Sequence, residues 1–320
     1  MDRADVVDKA FRTRLAEGDL PAGTPPAGPM TKTEALATFR AQCLSRNLDR
    51  RSRKMQAEGQ GFYTIGSSGH EGMAAVAAAL RPTDMAFLHY RDGAFQTRRS
   101  MQVPGVSAVW DMLLSFASSA DDPMSGGRHK VLGSKALNIP PQTSTIASHL
   151  PKAVGAAYSI GLAKRHKPEH QQLPDDAIVM CSFGDASANH STAQGAINSA
   201  CWTSYQSVPL PVLFVCEDNG IGISTRTPRG WIGANFSCSF SDFRIFCLDF
   251  PDMTILSQLR RGRCLLFVTI STTSPCCNLC RNGTNVPFTR APTVRLPTSS
   301  CTAYAKSSTL APFGKSFTSP

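Results

Sequence analysis

With 320 residues the chain is long enough for one large or two ordinary domains, and its 42 % hydrophobic content supports a sizeable core. Its formal charge of +10 would suit a polyanionic partner, but no block of five like charges exists. The densest basic run, Arg50, Arg51, Arg53 and Lys54, spreads around a helix as a solvated face, so a nucleic-acid partner is not expected. No run of about eighteen uncharged apolar residues is present, which argues against a membrane span. The first twenty residues lack an apolar signal core, so the reading is a soluble, cytoplasmic protein.

Cys43, Cys181, Cys201 and Cys216 stand in apolar contexts that suit buried thiols. The other seven of the eleven cysteines crowd the last quarter. Without a secretory signal a disulfide framework is not expected. Cys276-Cys277-x-x-Cys280 lacks the second ligand pair that a zinc site needs.

Residues 1–30 read as a flexible arm ending in a run of Pro, Ala and Gly from Pro21 to Pro29. Thr31 and Glu34 have capping-box spacing, and the helix they open carries apolar Leu36, Phe39, Cys43 and Leu44. Residues 59–69 form a Gly- and Ser-rich loop, after which Ser68 could cap an alanine-rich helix over 71–80 that Pro82 ends. An extended piece over 86–90 runs into Arg91-Asp-Gly93. A helix over 107–119 follows, with Met112, Leu113 and Phe116 in its core. Residues 121–147 are rich in turn formers and read as a long functional loop. The helix over 149–166 contains small residues (Ala153, Gly155, Ala156, Ala157, Gly161) that allow close packing.

Residues 177–183 are a nearly continuous apolar run, as a buried parallel strand requires. Gly184-Asp185 ends it. A small-residue helix over 189–202 leads to a second apolar run, 212–216, which ends at Glu217-Asp-Asn-Gly220. A right-handed β–α–β unit makes the two strands parallel, so both polar turns emerge at the C-terminal edge, where ligands bind in open α/β sheets. The fold class is therefore α/β, a parallel sheet flanked by helices. From Phe236 onward Glu and His are absent and helical period is hard to find. Residues 236–320 read as an irregular tail, either a divergent loop-rich subdomain or out-of-frame translation.

Asp185 and Asn219 are the pair that carries chemistry. Mg²⁺ takes oxygen ligands and bridges one or two side chains to phosphates, and Gly184 and Gly220 let the backbone approach a ligand. Ser187 and the amides opening the next helix could favour an anion. Taken alone, Gly-Asp and Asn-Gly are also common turn signals.

Gly184-Asp-Ala-Ser187 followed by Glu217-Asp-Asn-Gly-Ile221 resembles the thiamine-diphosphate motif. Gly69-His-Glu71, His89-Tyr-Arg-Asp92, Gly127-Arg-His129, Leu150-Pro-Lys-Ala-Val-Gly-Ala-Ala157 and 214–224 occur in the order found in α-type subunits of the decarboxylating component of 2-oxo acid dehydrogenases, over about two-thirds of the chain. The branched-chain, 2-oxoisovalerate type is the most similar. The resemblance implies a thiamine-diphosphate-binding fold over 31–235. It implies oxidative decarboxylation of a 2-oxo acid substrate with acyl transfer to a lipoyl-bearing acyltransferase, a β-type dehydrogenase module as partner, and the mitochondrial matrix as location in a eukaryote. It assigns Mg²⁺ to Asp185, Asn219 and the carbonyl of Ile221, and the diphosphate to Tyr90 and Arg91. It assigns the aminopyrimidine to Ser144 and the backbone of Ile146, and further cofactor contacts to Gly184 and Ala186. Thr143, Thr145, Ser148 and His149 align with a loop that binds a monovalent cation in some relatives, but an imidazole is a poor potassium ligand.

Three departures stand out. Ala186 replaces the motif's second Gly, which is tolerable if its backbone is not left-handed. Glu217 stands where related subunits often carry a basic residue, and would repel a diphosphate unless it faces away. The family's later active-site His has no counterpart, since no His follows His190. His129, in a Gly-rich loop, is the catalytic candidate, with a surface loop as the alternative. His70 could line the site mouth or simply start a helix, and His190 reads as a helix cap. An incomplete chain, an inactive cofactor-domain fragment, a carboligase-type thiamine enzyme and a basic nucleic-acid binder remain as other readings.

Overall fold

The computed structural model describes residues 3–19, 30–62, 65–128, 131–142, 144–228, 231–232, 245–247 and 266–271, all within one compact unit, 1–277. The leader contributes a helix, α1 (Arg3–Ala16); Pro21 to Pro29 lie outside the described residues. Helix α2 (Lys32–Ala57) opens with the expected capping box: the Thr31 hydroxyl accepts from the Glu34 N–H, and the Glu34 carboxylate accepts from the Thr31 N–H at 2.8 Å.

The buried stripe of α2 is not the expected one. Thr38, Ala41, Ser45, Leu48, Asp49, Ser52 and Met55 face inward, while Leu36 and Phe39 are 60 % and 59 % exposed. Cys43, on the same outer side, is exposed too, whereas Cys181, Cys201 and Cys216 are buried as expected. The inner face is small and polar because it meets the Gly- and Ser-rich loop, whose donors need an acceptor. Asp49 takes the Ser67 N–H at 2.7 Å and the Ser68 hydroxyl at 2.6 Å. Ser68 is thereby used and does not cap the next helix; α3 (Met73–Ala79) starts after Gly72 with no side-chain cap.

Strand β1 (Met85–Phe87) precedes α4 (Gly93–Ser100) and α5 (Ala108–Phe116). The Ser107 hydroxyl accepts from the Trp110 N–H to start α5, and Met112 and Phe116 are buried. The segment 121–147 is not one long loop. It holds β2 (Leu132–Ser134) and β3 (Ile139–Gln142), an antiparallel pair joined by a 3-10 turn over Lys135–Leu137. Strands of three and four residues, one with Pro140 and Pro141, are too short to show an alternating pattern. Helix α6 (Leu150–His166) buries Ala153 and Ala157, but Gly155 faces open space and serves no close packing.

Strand β4 (Val179–Gly184), helix α7 (Ser191–Tyr205) and strand β5 (Val212–Asp218) form the expected β–α–β unit, and the strands pair in parallel from Val179↔Val212 to Gly184↔Glu217. A small hairpin, β6 (Ile221–Gly222) and β7 (Thr225–Arg226), follows β5. Two short runs of the tail, β8 (Ile245–Cys247) and β9 (Leu266–Ser271), join the sheet, which is parallel throughout in the order β1-β4-β5-β9-β8. Among the described residues no helix is long and apolar enough to cross a membrane.

The two faces of β4 and β5 belong to different cores. Val179, Cys181, Phe183, Phe214 and Cys216 pack with α6 and α7. Ile178, Met180, Leu213 and Val215 pack with α3 and Phe95. By strict alternation the second face continues at its C-terminal end with Ser182, Gly184 and Glu217, so the apolar core there gives way to a polar cap.

Candidate functional site at the strand ends

Asp185 leaves β4 in a 3-10 turn over Asp185–Asn189 and is 2 % exposed. Its side chain accepts a short hydrogen bond from the Thr227 hydroxyl, and its carbonyl accepts from the Trp231 indole N–H at 3.0 Å. On the neighbouring strand end, Gly220 takes φ +71°, a conformation that favours glycine. This turn is tied by two local bonds: the Gly220 N–H donates to Asp218 Oδ1 and the Ile221 N–H to Asn219 Oδ1, both at 3.0 Å. Burial lifts the Asp218 carboxyl above its ordinary value; the Gly220 N–H works against this and the adjacent Asp185 carboxylate adds to it. The Asp185 and Asp218 carboxyl groups thus meet at one sheet edge, next to the Asn219 turn. Hard oxygen donors are what Mg²⁺ prefers, so the donor set fits that ion.

Ala186 sits in the 3-10 turn and is not among the residues with positive φ, so its replacement of the motif glycine causes no backbone strain. Its methyl instead dictates a glycine elsewhere: a Cβ on Gly222 would lie 2.4 Å from the Ala186 Cβ.

Tyr90 and Arg91 follow β1 at the same C-terminal edge. Arg91 lies 5.1 Å over the Tyr90 ring and donates to the Gly66 carbonyl at 2.6 Å. Gly66 belongs to the loop that Asp49 holds, so α2 positions Arg91 through that loop. Gly93 lets α4 start against it, since a Cβ there would meet the Ser67 hydroxyl at 2.8 Å. His89 packs its Cε1–Nε2 edge near Gly184, where a Cβ would stand 3.5 Å away, linking this turn to the start of the Asp185 turn.

Beneath the site lies a buried polar cluster that sequence reasoning did not assemble. Glu217, fully buried, accepts from His70 Nδ1 at 2.5 Å and stands 3.2 Å from His89 Nδ1. Burial opposes its ionisation, yet His70 and His89 hold its carboxyl well below the usual range. Glu217 therefore faces inward to two histidines, which answers the concern that it would repel a diphosphate. Asp92, beside it, is pushed well above the usual carboxylate range by burial and by the Glu217 charge, and takes a short bond from the Ser182 hydroxyl. His149 donates from Nε2 to the Ser182 carbonyl at 2.6 Å, and burial drives its pKa down to about 4 against that bond's pull. It is a neutral anchor for the start of α6.

Ser144 and Ile146 lie in the loop just before His149, half-buried and 45 % exposed respectively. His149 ties the end of that loop to β4. His190 caps α7 by accepting from the Thr192 N–H at 3.2 Å. His129 and Thr143 lie outside the described residues. Asp49, Asp218, Thr227 and Trp231 were missed as site-forming residues. Only Asp218, next to Asn219 at a strand end, had a local signal.

The Dehydrogenase E1 component family model matches residues 39–238, and the chain belongs to that family. The α subunit of mouse mitochondrial 2-oxoisovalerate dehydrogenase is 28 % identical over 207 residues, 64 % of this chain and 42 % of the relative. The α subunit of 2-oxoisovalerate dehydrogenase from Bacillus subtilis (strain 168) is 28 % identical over 200 residues, covering 61 % and 54 %. The chain thus spans about half the length, or less, of these curated relatives. A transketolase from Pichia stipitis superposes with a TM-score of 0.50 at 14 % identity over 76 % of this chain and 36 % of that one, a likeness of fold.

Proposed function

We propose that this chain is the α-type, cofactor-binding half of the decarboxylating component of a 2-oxo acid dehydrogenase, and that its substrate is a branched-chain 2-oxo acid. The observation that carries the reading is the meeting of Asp185 with the Asp218-Asn219-Gly220 turn at the C-terminal edge of a parallel sheet, in a chain of this family. Asp185, Asn219 and the Ile221 carbonyl hold Mg²⁺. Tyr90 and the forked Arg91 guanidinium hold the diphosphate of thiamine diphosphate. Gly184 and Ala186 present backbone to the cofactor, Ser144 and Ile146 border its aminopyrimidine, and His129 contacts the substrate. The bound cofactor supplies the electron sink for loss of carbon dioxide; the protein supplies position and electrostatics. A β-type module completes the site, and the acyl product passes to a lipoyl-bearing acyltransferase. In a eukaryote the place of action is the mitochondrial matrix, otherwise the cytoplasm.

The test is turnover with a supplied β-type module and a lipoyl domain as acceptor. Acylation of the lipoyl group is expected, with a branched-chain 2-oxo acid preferred over pyruvate by roughly 10- to 100-fold, the discrimination that added methylenes allow. Carbon–carbon bond formation with an aldehyde and no lipoyl acylation would instead identify a carboligase.

A further inference from the structure

We propose that His70, His89 and Glu217 form a binding site for one borderline divalent cation, Zn²⁺ in the first place, separate from the oxygen-donor site at Asp185 and Asn219. The three side chains are 2 %, 6 % and 0 % exposed, and their ligand atoms all lie within 4.8 Å of one another. They come from three segments: the loop before α3, the turn after β1 and the end of β5.

Among the described residues, three buried polar atoms of this cluster make no well-formed hydrogen bond: Asp92 Oδ1, and His89 Nδ1 and Glu217 Oε1, which stand 3.2 Å apart without bonding geometry. Buried polar groups are normally satisfied, and an orphaned group calls for an ion or a water. One cation would take His70 Nδ1, His89 Nδ1 and a Glu217 oxygen as ligands together.

The donor chemistry selects the ion. Two imidazoles and a carboxylate suit Zn²⁺, whereas Mg²⁺ takes oxygen ligands. Metal–ligand bonds of about 2.0–2.1 Å at tetrahedral angles place neighbouring ligand atoms about 3.3 Å apart. His89 Nδ1 and Glu217 Oε1 already stand at 3.2 Å. The His70–Glu217 pair, at 2.5 Å, has to open by less than one ångström as the ion replaces the shared proton. With both histidines neutral as ligands, the Glu217 charge offsets half of the ion's charge.

The experiment uses the full chain, purified without a metal-affinity tag and stripped with a chelator. Co²⁺ serves as the spectroscopic probe and Zn²⁺ as its competitor. The expected result is about one equivalent of Co²⁺ with the visible bands of a four- or five-coordinate ion and no thiolate charge-transfer band, displaced by Zn²⁺ but not by excess Mg²⁺. Zn²⁺ is expected to raise the Tm of the stripped chain. His89→Gln and Glu217→Gln should each weaken binding by about 100-fold or more, and Asp185→Ala should leave it unchanged. Should either glutamine variant fail to fold by circular dichroism, the wild-type Co²⁺ spectrum and Zn²⁺-dependent Tm decide alone. Substoichiometric binding (an adventitious ion only), retention of the metal by folded glutamine variants, or a thiolate band pointing to the cysteine-rich tail would each overturn the proposal. Zn²⁺ binding in a chain that takes no thiamine diphosphate would leave this inference standing and sink the function proposed above.

Discussion

Glu217→Ala is expected to destabilise the fold by about 3–5 kcal/mol, because it leaves the buried groups that Glu217 bonds without a partner. Glu217 is fully buried at the end of β5, and its carboxylate stands between His70 and His89. Alanine would leave both imidazoles and Asp92 around an apolar void with no acceptor. Glu217→Gln keeps the volume and one acceptor oxygen and should cost less. Urea denaturation in the presence of a chelator, which keeps metal ions out of the comparison, measures both. A loss under about 1 kcal/mol for the alanine variant, within the range of ordinary surface changes, would mean the cluster is not assembled as described.

The second large effect is acid destabilisation through His149. Its folded pKa lies at about 4 because burial outweighs the pull of the Ser182 carbonyl and of the Glu217 charge toward the charged form. An unfolded histidine titrates near 6.5. As pH falls below 6.5, the unfolded chain binds a proton that the folded chain refuses until about pH 4. Stability is therefore lost across that window, by up to about 1.4 kcal/mol per pH unit and roughly 3 kcal/mol in all. Other groups overlap. His89, also lowered by burial, acts in the same direction. Asp92, raised by burial, acts in the opposite one, because its folded form takes the proton first. Glu217, held low, contributes only below the unfolded carboxylate range. The His149→Gln difference isolates the term, since glutamine can still donate to the Ser182 carbonyl. The variant's stability should fall less steeply between pH 6.5 and 4 than that of the wild type; parallel curves would contradict the buried neutral His149.

What could be read from the sequence follows the range of each signal. The apolar runs of β4 and β5 announce themselves because a parallel strand covered on both faces needs no alternation. The Asp185 and Asn219 turns follow directly from where those runs stop. The Thr31–Glu34 capping box is equally local. The inner face of α2 is not legible, because Thr38, Ser45, Asp49 and Ser52 are buried for what they bond rather than for hydrophobicity. Asp49 makes sense only once Ser67 and Ser68 are beside it. The hidden cluster is more remote still: His70 and Glu217 are 147 residues apart, and no spacing rule brings them together. Glu217 looked out of place next to a phosphate site for the same reason, since its partners come from other segments.

In the proposed function, the strand-end turns of β4 and β5 hold thiamine diphosphate through Mg²⁺. Calorimetric titration of the purified chain with thiamine diphosphate, first with Mg²⁺ and then with EDTA, tests it directly when wild type is compared with Asp185→Ala. The expected result is binding that requires Mg²⁺ and is lost in Asp185→Ala while that variant remains folded. A folded wild-type chain that does not bind the cofactor, or one that binds it equally well with Asp185 removed, would contradict it.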